Sequence, residues 1–529
     1  MEQPLDSKPC PVVERPASDS NCFELRNREL ERLLTNRDVA DLPVVVVSVA
    51  GGFRLGKSFL LGFFIRYLQQ LEMSPNTSNW MGKNDIPLKG FSWKYGSARE
   101  TTGILLWGKV FKVKTRRHGL VAVVLMDTEG SFDNTSTLEG NVTIFSMSML
   151  LASVQVYNLS KQITQNDLEH LKLFAEYASM AARAGCQDKE AFQKLLFLVR
   201  DWQYPEEKPF GLEGGQALLD PWLENDPRLP REVSELRENI RSSFGELKCF
   251  LMPKPGDKVE TKRFNGSLSD ISEDFKRHLE DLVPYLLSPE TLVPKQLNGR
   301  IIKCKELVCM FQTYFTVFKE QKLPQPKSVF DATAFVHNKR VIDDIVKEYD
   351  TAMGKIIKKD LASQFDSEVQ TEHLRLMEEC LSQFEKAPKM GRNVTELREQ
   401  LTKEVNGRYD ILKRTREMLQ EFHCGMERQR REDREEAQRI LEEKVKQMNE
   451  EFKIKNEEAI NDMARIHNLQ MRELEKEAMA RQSQESSIWD TILSTLGEIV
   501  AGVPRLLDNI RRLIQGPEGA ICRGTRQHN

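Results

Sequence analysis

Gly51-Gly52-Phe53-Arg54-Leu55-Gly56-Lys57-Ser58 fits the spacing G-x-x-x-x-G-K-[ST] at every required position. Glycines at the first and sixth places let backbone N–H groups turn toward an anion. The lysine brings a point charge to β- and γ-phosphates, and the hydroxyl after it is a hard ligand for Mg²⁺. Gly51, Phe53, Arg54, Leu55, Gly56, Lys57, Ser58 and Phe59 are therefore assigned to a phosphate loop, with Lys57 at the phosphates and Ser58 at the metal. Asp127-Thr128-Glu129-Gly130 supplies a second element, with Asp127 near the metal and the Gly130 amide facing the γ-phosphate. Alone, D-x-x-G is common; behind a hydrophobic run and downstream of a phosphate loop it carries weight. Arg200-Asp201 follows a further hydrophobic run. A carboxylate there accepts both N1–H and N2–H of guanine, donors that adenine does not present, so the expected nucleotide is GTP. The N-K-x-D signature of small GTPases is missing at this place.

The runs that must position these residues alternate with helical stretches. Val44 to Val49, Gly119 to Met126, Val154 to Tyr157, Lys194 to Val199 and Lys248 to Met252 read as strands, the first buried on both faces. Phe59 to Gln70, Gln165 to Ala184 and Glu232 to Ser243 read as helices. The alternation predicts an α/β fold, a P-loop domain with a mainly parallel sheet over residues 31–320. Leu323-Pro324-Gln325-Pro326 marks a linker over 321–328. A small helical middle bundle is expected over 329–418, broken near Ala387-Pro388 and Gly391. Dense alternating charge over 427–485 predicts a long helix, either a coiled coil or a single helix lying back on the bundle. Residues 487–514 form an amphipathic segment, read either as an interfacial membrane helix or as a helix docked on the bundle, and 515–529 is a tail.

Composition narrows the class. The chain has 529 residues, with 77 Lys+Arg against 80 Asp+Glu for a formal net charge of -3, so no global basic field points to nucleic acid. Nine cysteines without a CxxC pair argue against a zinc ribbon or RING-type site. No stretch reaches the ~20 uninterrupted apolar residues of a spanning helix. The polar, proline-bearing start lacks the apolar core of a signal peptide, and residues 1–30 are expected to be a disordered leader.

These motifs, together with Gly90-Phe91-Ser92-Trp93, Arg99-Glu100-Thr101-Thr102-Gly103-Ile104, Ser153-Val154-Gln155-Val156-Tyr157-Asn158-Leu159-Ser160 and Leu287-Ser288-Pro289-Glu290, resemble the atlastins, within the dynamin-related guanylate-binding (GB1/RHD3) group. The resemblance runs from about Glu31 to Lys358. It implies a Mg²⁺-dependent GTPase that hydrolyses GTP to GDP and phosphate and dimerises through its G domains. Arg54 matches the family's internal arginine finger. Thr101 matches the threonine whose hydroxyl completes the metal site with Ser58 and Asp127, and whose backbone holds the attacking water; Thr102 is the second choice. The implied role is membrane tethering or remodelling, from the cytoplasm and peripherally on endomembranes such as the ER, through contact at 487–514. A soluble GTPase that self-assembles or captures partners through its helical part is the alternative. Two departures stand out. Atlastins carry Gln where this chain has Glu129, as guanylate-binding proteins do, and the charged helix Glu427 to Arg481 replaces the atlastins' two membrane spans.

Overall fold

The β-branched run Val44 to Val49 forms an inner strand of the sheet because its side chains alternate between two apolar layers. Val44, Val46 and Ala50 join one buried cluster, while Val45, Val47 and Val49 join the other. Each such valine removed from water contributes about 1.5–3 kcal/mol. The computed structural model describes residues 8–16, 23–74, 77–82, 86–93, 101–130, 138–183, 190–224, 228–320, 325–359, 366–391, 394–454, 466–477 and 479. In chain order its elements are β1 (Pro9–Glu14), β2 (Glu24–Leu25), α1 (Asn27–Leu34), β3 (Val44–Gly51), α2 (Lys57–Met73), β4 (Ile104–Trp107), β5 (Phe111–Thr115), β6 (Gly119–Thr128), α3 (Leu138–Leu151), β7 (Val154–Ser160), α4 (Gln165–Glu169) and α5 (Lys172–Arg183). There follow β8 (Phe192–Arg200), α6 (Leu212–Leu223), α7 (Arg231–Ser243), β9 (Phe244–Leu251), α8 (Glu273–Leu287), β10 (Gln296–Leu297), β11 (Arg300–Ile301), α9 (Cys304–Glu320), α10 (Pro326–Lys359), α11 (Asp366–Lys386) and α12 (Val394–Ile454).

The chain divides into two units, Met1–Lys339 with Pro388–Arg392, and Arg340–Ala387 with Asn393–Asn529. In the first, the described strands order as β2-β1-β4-β6-β3-β7-β8-β9, with β5 hairpinned onto β6. The pairs β6–β3, β3–β7, β7–β8 and β8–β9 are parallel. Register sets the site: Val49 pairs with Asp127, Gly51 with Asn158, and Ser160 with Arg200. The residues chosen for chemistry thus gather at the carboxyl ends of neighbouring parallel strands, where open α/β sheets bind ligands.

The disordered leader expected over 1–30 is corrected by this sheet. Pro9–Glu14 is strand β1, antiparallel to β4, with Val12 and Val13 fully buried, and α1 already begins at Asn27. The prolines masked the strand in the sequence. Because β2 pairs only with Val13 and Glu14, Pro9 and Pro11 border a free edge, where a missing N–H is tolerated. The linker expected over 321–328 is also shortened: Pro326 opens α10, the helix position at which proline's absent N–H costs least. Residues 321–324 lie outside the described residues. The helix expected over Gln165 to Ala184 divides into α4 and α5, the first capped by Thr164 and Asp167 in a reciprocal box.

In the second unit, Ile342, Ile345, Tyr349 and Met353 of α10 pack with Leu376, Cys380 and Phe384 of α11 and Leu401, Val405 and Leu412 of α12. These three- and four-residue steps are the stripe of an amphipathic helix. No break separates bundle from charged helix: α12 runs 61 residues without interruption, and beyond residue 430 its described side chains are almost all exposed. Residues 466–477 are helical too. No described helix is long and apolar enough to cross a membrane. The amphipathic segment 487–514 lies outside the described residues.

Candidate functional site: a phosphate loop and its surroundings

The loop between β3 and α2 has the shape its glycines allow. Gly51 has φ +141°, and a Cβ there would lie 2.1 Å from the Asn158 carbonyl oxygen. Gly56, at φ +70°, caps α2, so the first N–H groups of that helix face the loop. Lys57 is buried and folded back, its Nζ donating to the Gly51 and Gly52 carbonyls at 3.2 and 3.0 Å. Burial pulls its ammonium down to about 8, against the opposing charges of Asp127 and Glu129. Gly130 closes the other wall: a Cβ at that position would sit 2.6 Å from the Phe53 Cα and 3.1 Å from the Lys57 Nζ.

The three residues proposed for the metal meet on one oxygen. Ser58 Oγ donates to Asp127 Oδ2 at 2.6 Å, Thr101 Oγ1 donates to the same atom at 3.0 Å, and the two hydroxyls are 3.3 Å apart. Asp127 is fully buried, and burial raises its carboxyl above the usual range while Ser58, Lys57 and Thr101 oppose the shift. Its Oδ1 is buried with no hydrogen-bond partner among the described residues. Two hydroxyls and a carboxylate with an unsatisfied oxygen form the all-oxygen donor set that suits Mg²⁺. Thr101 is the threonine brought to this cluster, while Thr102 is exposed. Arg99 and Glu100 fall outside the described residues.

The other assigned residues spread around this centre. Arg54 is exposed, with its guanidinium carbon 5.1 Å from the Phe53 ring centroid and a backbone φ of +61°. The Phe59 side chain turns inward, edge-to-face with Phe63, Trp93 and Phe264. Arg200 also turns inward: its Nη1 donates to the Leu55 carbonyl at 3.2 Å and its guanidinium lies 5.1 Å from the Phe275 ring centroid. Asp201, one residue on, is half-buried at φ +58°, and no described residue hydrogen-bonds its carboxylate.

Glu129 stood out in the sequence only as a departure from the atlastins, and Arg15 and Asn158 were assigned no role there. Glu129 is buried, accepts from the Gly103 amide at 2.8 Å and faces Arg15 Nη2 at 3.4 Å. Arg15 in turn lies 4.3 Å from the Phe23 ring centroid. It comes from the proline-bearing segment, where nothing in the sequence signals a role. Asn158 is fully buried and donates from Nδ2 to the Leu55 carbonyl at 2.8 Å. Its place was legible in principle, since a strand beside β3 must bring some residue level with Gly51.

The family model described as guanylate-binding protein, N-terminal domain, matches residues 20–296. Atlastin-2 of Macaca fascicularis is 43% identical over 386 residues, which cover 73% of this chain and 67% of that protein. Atlastin-1 of Bos taurus is 41% identical over 391 residues, 74% of this chain and 69% of the relative. Atlastin of Drosophila melanogaster is 41% identical over 377 residues, 71% and 69% of the two chains. With a phosphate loop between parallel strands and these matches across it, the chain belongs to the guanylate-binding and atlastin family of dynamin-related GTPases.

Proposed function

We propose that this GTPase binds GTP with Mg²⁺ and couples nucleotide state to pairing of its G domains, with membrane tethering or remodelling as the output. The observation that carries the chemical part is the convergence of Ser58 and Thr101, from two separate segments, on Asp127 Oδ2, which leaves Asp127 Oδ1 without a hydrogen-bond partner among the described residues. When bound, Mg²⁺ neutralises charge on the phosphate oxygens. Lys57 exchanges its two loop carbonyls for β- and γ-phosphate oxygens. Arg54 acts as the internal arginine finger, neutralising charge that grows between those phosphates, an effect of ~10³–10⁵ in rate in related systems. Thr101 completes the metal site and its backbone holds the attacking water. Asp201 reads N1–H and N2–H of guanine, while Arg200 supports the phosphate loop from beneath. Ser58→Ala and Thr101→Ala should each raise the Mg²⁺ concentration needed for half-maximal hydrolysis; an unchanged requirement would contradict the metal assignment.

The likeness to atlastins supports the membrane output and the homodimer. The second reading, a soluble GTPase that assembles or captures partners through its helices, is favoured by the exposed, charged second half of α12. Liposome flotation with GTP separates them, comparing the full chain with a truncation ending at Ser486. Flotation of the full chain alone supports an anchor in 487–514; no flotation of either supports the soluble reading.

A further inference from the structure

Arg54 is held in its left-handed conformation by anchors on both sides. Before it in the chain, Lys57 Nζ ties down the carbonyls of Gly51 and Gly52. After it, the Leu55 carbonyl receives two buried donors, Asn158 Nδ2 at 2.8 Å and Arg200 Nη1 at 3.2 Å. A non-glycine residue at φ +61° persists where surrounding contacts over-determine the backbone. Here those contacts come from the ends of β7 and β8, the strands that follow β3 across the sheet. Asn158 is 0% exposed and Arg200 5%. Among the described residues the Asn158 Oδ1 has no hydrogen-bond partner, and its Nδ2 donates to Leu55. Arg200 packs closely enough that a Cβ on Gly56 would lie 3.3 Å from its Nη1.

We infer that Asn158, assisted by Arg200, is a positioning residue for hydrolysis. It fixes the Leu55 carbonyl and thereby the turn that presents the Arg54 guanidinium. It touches no reacting atom and acts through Arg54. The inference rests on the arginine-finger reading above, and Arg54→Ala in the same series tests that reading separately.

The experiment is a double-mutant cycle in the full chain, with Arg54→Ala, Asn158→Ala and both together. Single-turnover hydrolysis and affinity for a fluorescent GTP analogue are read for each. Arg54→Ala and Asn158→Ala should each slow hydrolysis by about tenfold or more while affinity changes by less than about threefold. The double variant should be no slower than Arg54→Ala alone, because a residue acting only through another adds nothing once that other is gone. Multiplicative losses, or native hydrolysis in Asn158→Ala, would overturn the inference while leaving the finger reading in place. Native hydrolysis in Arg54→Ala would remove the finger reading itself. Should Asn158→Ala not fold, the cycle is run with Asn158→Leu, which keeps the volume and lacks the donor. If neither folds, Asn158 is purely structural and the inference is wrong.

Discussion

The two ends of the proposed nucleotide site are built differently. At the phosphate end, side chains are buried and bonded to one another: Lys57 to loop carbonyls, Ser58 and Thr101 to Asp127, Asn158 to Leu55, Glu129 to Gly103. At the end assigned to the base, Asp201 is half-buried at a backbone φ of +58°, beside the charge of Arg200. Donors and charges fixed close to where charge develops, once they have exchanged these partners for the ligand, are where catalysis gains most. In the proposed reading, the Asp201 carboxylate accepts two guanine donors and serves discrimination instead. Substitutions at the first end should therefore change rate or binding outright and couple to each other. Those at the second should change which base is accepted.

The largest effect expected is that of Lys57→Ala, which removes the cation from a buried anion site. GTP binding should fall by about 10³-fold or beyond measurement in a titration, and tight residual binding would break the phosphate-end assignment. Arg54→Ala should spare binding and slow hydrolysis at least tenfold, about 1.4 kcal/mol of barrier. Steady-state turnover checks this, and an unchanged kcat would take Arg54 out of the mechanism. Affinity should also depend on pH through Lys57. Burial holds the nucleotide-free ammonium at about 8. The phosphates favour the charged form, so binding takes up a proton above that pH. Affinity should be flat below pH 8 and fall up to about tenfold per unit above it. A flat profile through pH 9, by calorimetry in two buffers, would show that Lys57 is already satisfied without nucleotide. Asp201→Asn should have the smallest effect on rate and trade guanine for xanthine preference. If xanthosine nucleotides compete no better against this variant, another group reads the base.

The same contrast explains what the sequence made legible. Gly51, Lys57, Ser58 and Asp127 were assigned on local spacing after a strand, β3 and β6 announce themselves as apolar runs, and the structure brings the four residues together. Thr101 came from the family resemblance and lies where the metal assignment needs it. Contacts between distant segments were not legible. Arg200 was placed at the nucleotide by its neighbour Asp201, yet its side chain supports Leu55 from beneath. The partnership of Arg15 with Glu129 joins residues 114 apart in sequence, one of them in a segment whose prolines argued against any strand. The boundary expected near residue 418 is not a break in the backbone, since Gly407 and Gly425 both lie inside α12. What changes there is burial, after Arg416, rather than backbone.

Pairing of G domains during hydrolysis is the central claim, and specific activity measured against protein concentration tests it most directly. Activity per molecule should rise with concentration and level off as pairing saturates. Constant specific activity across a range from well below to well above micromolar would mean that each chain completes its own site, contradicting pairing-assisted hydrolysis.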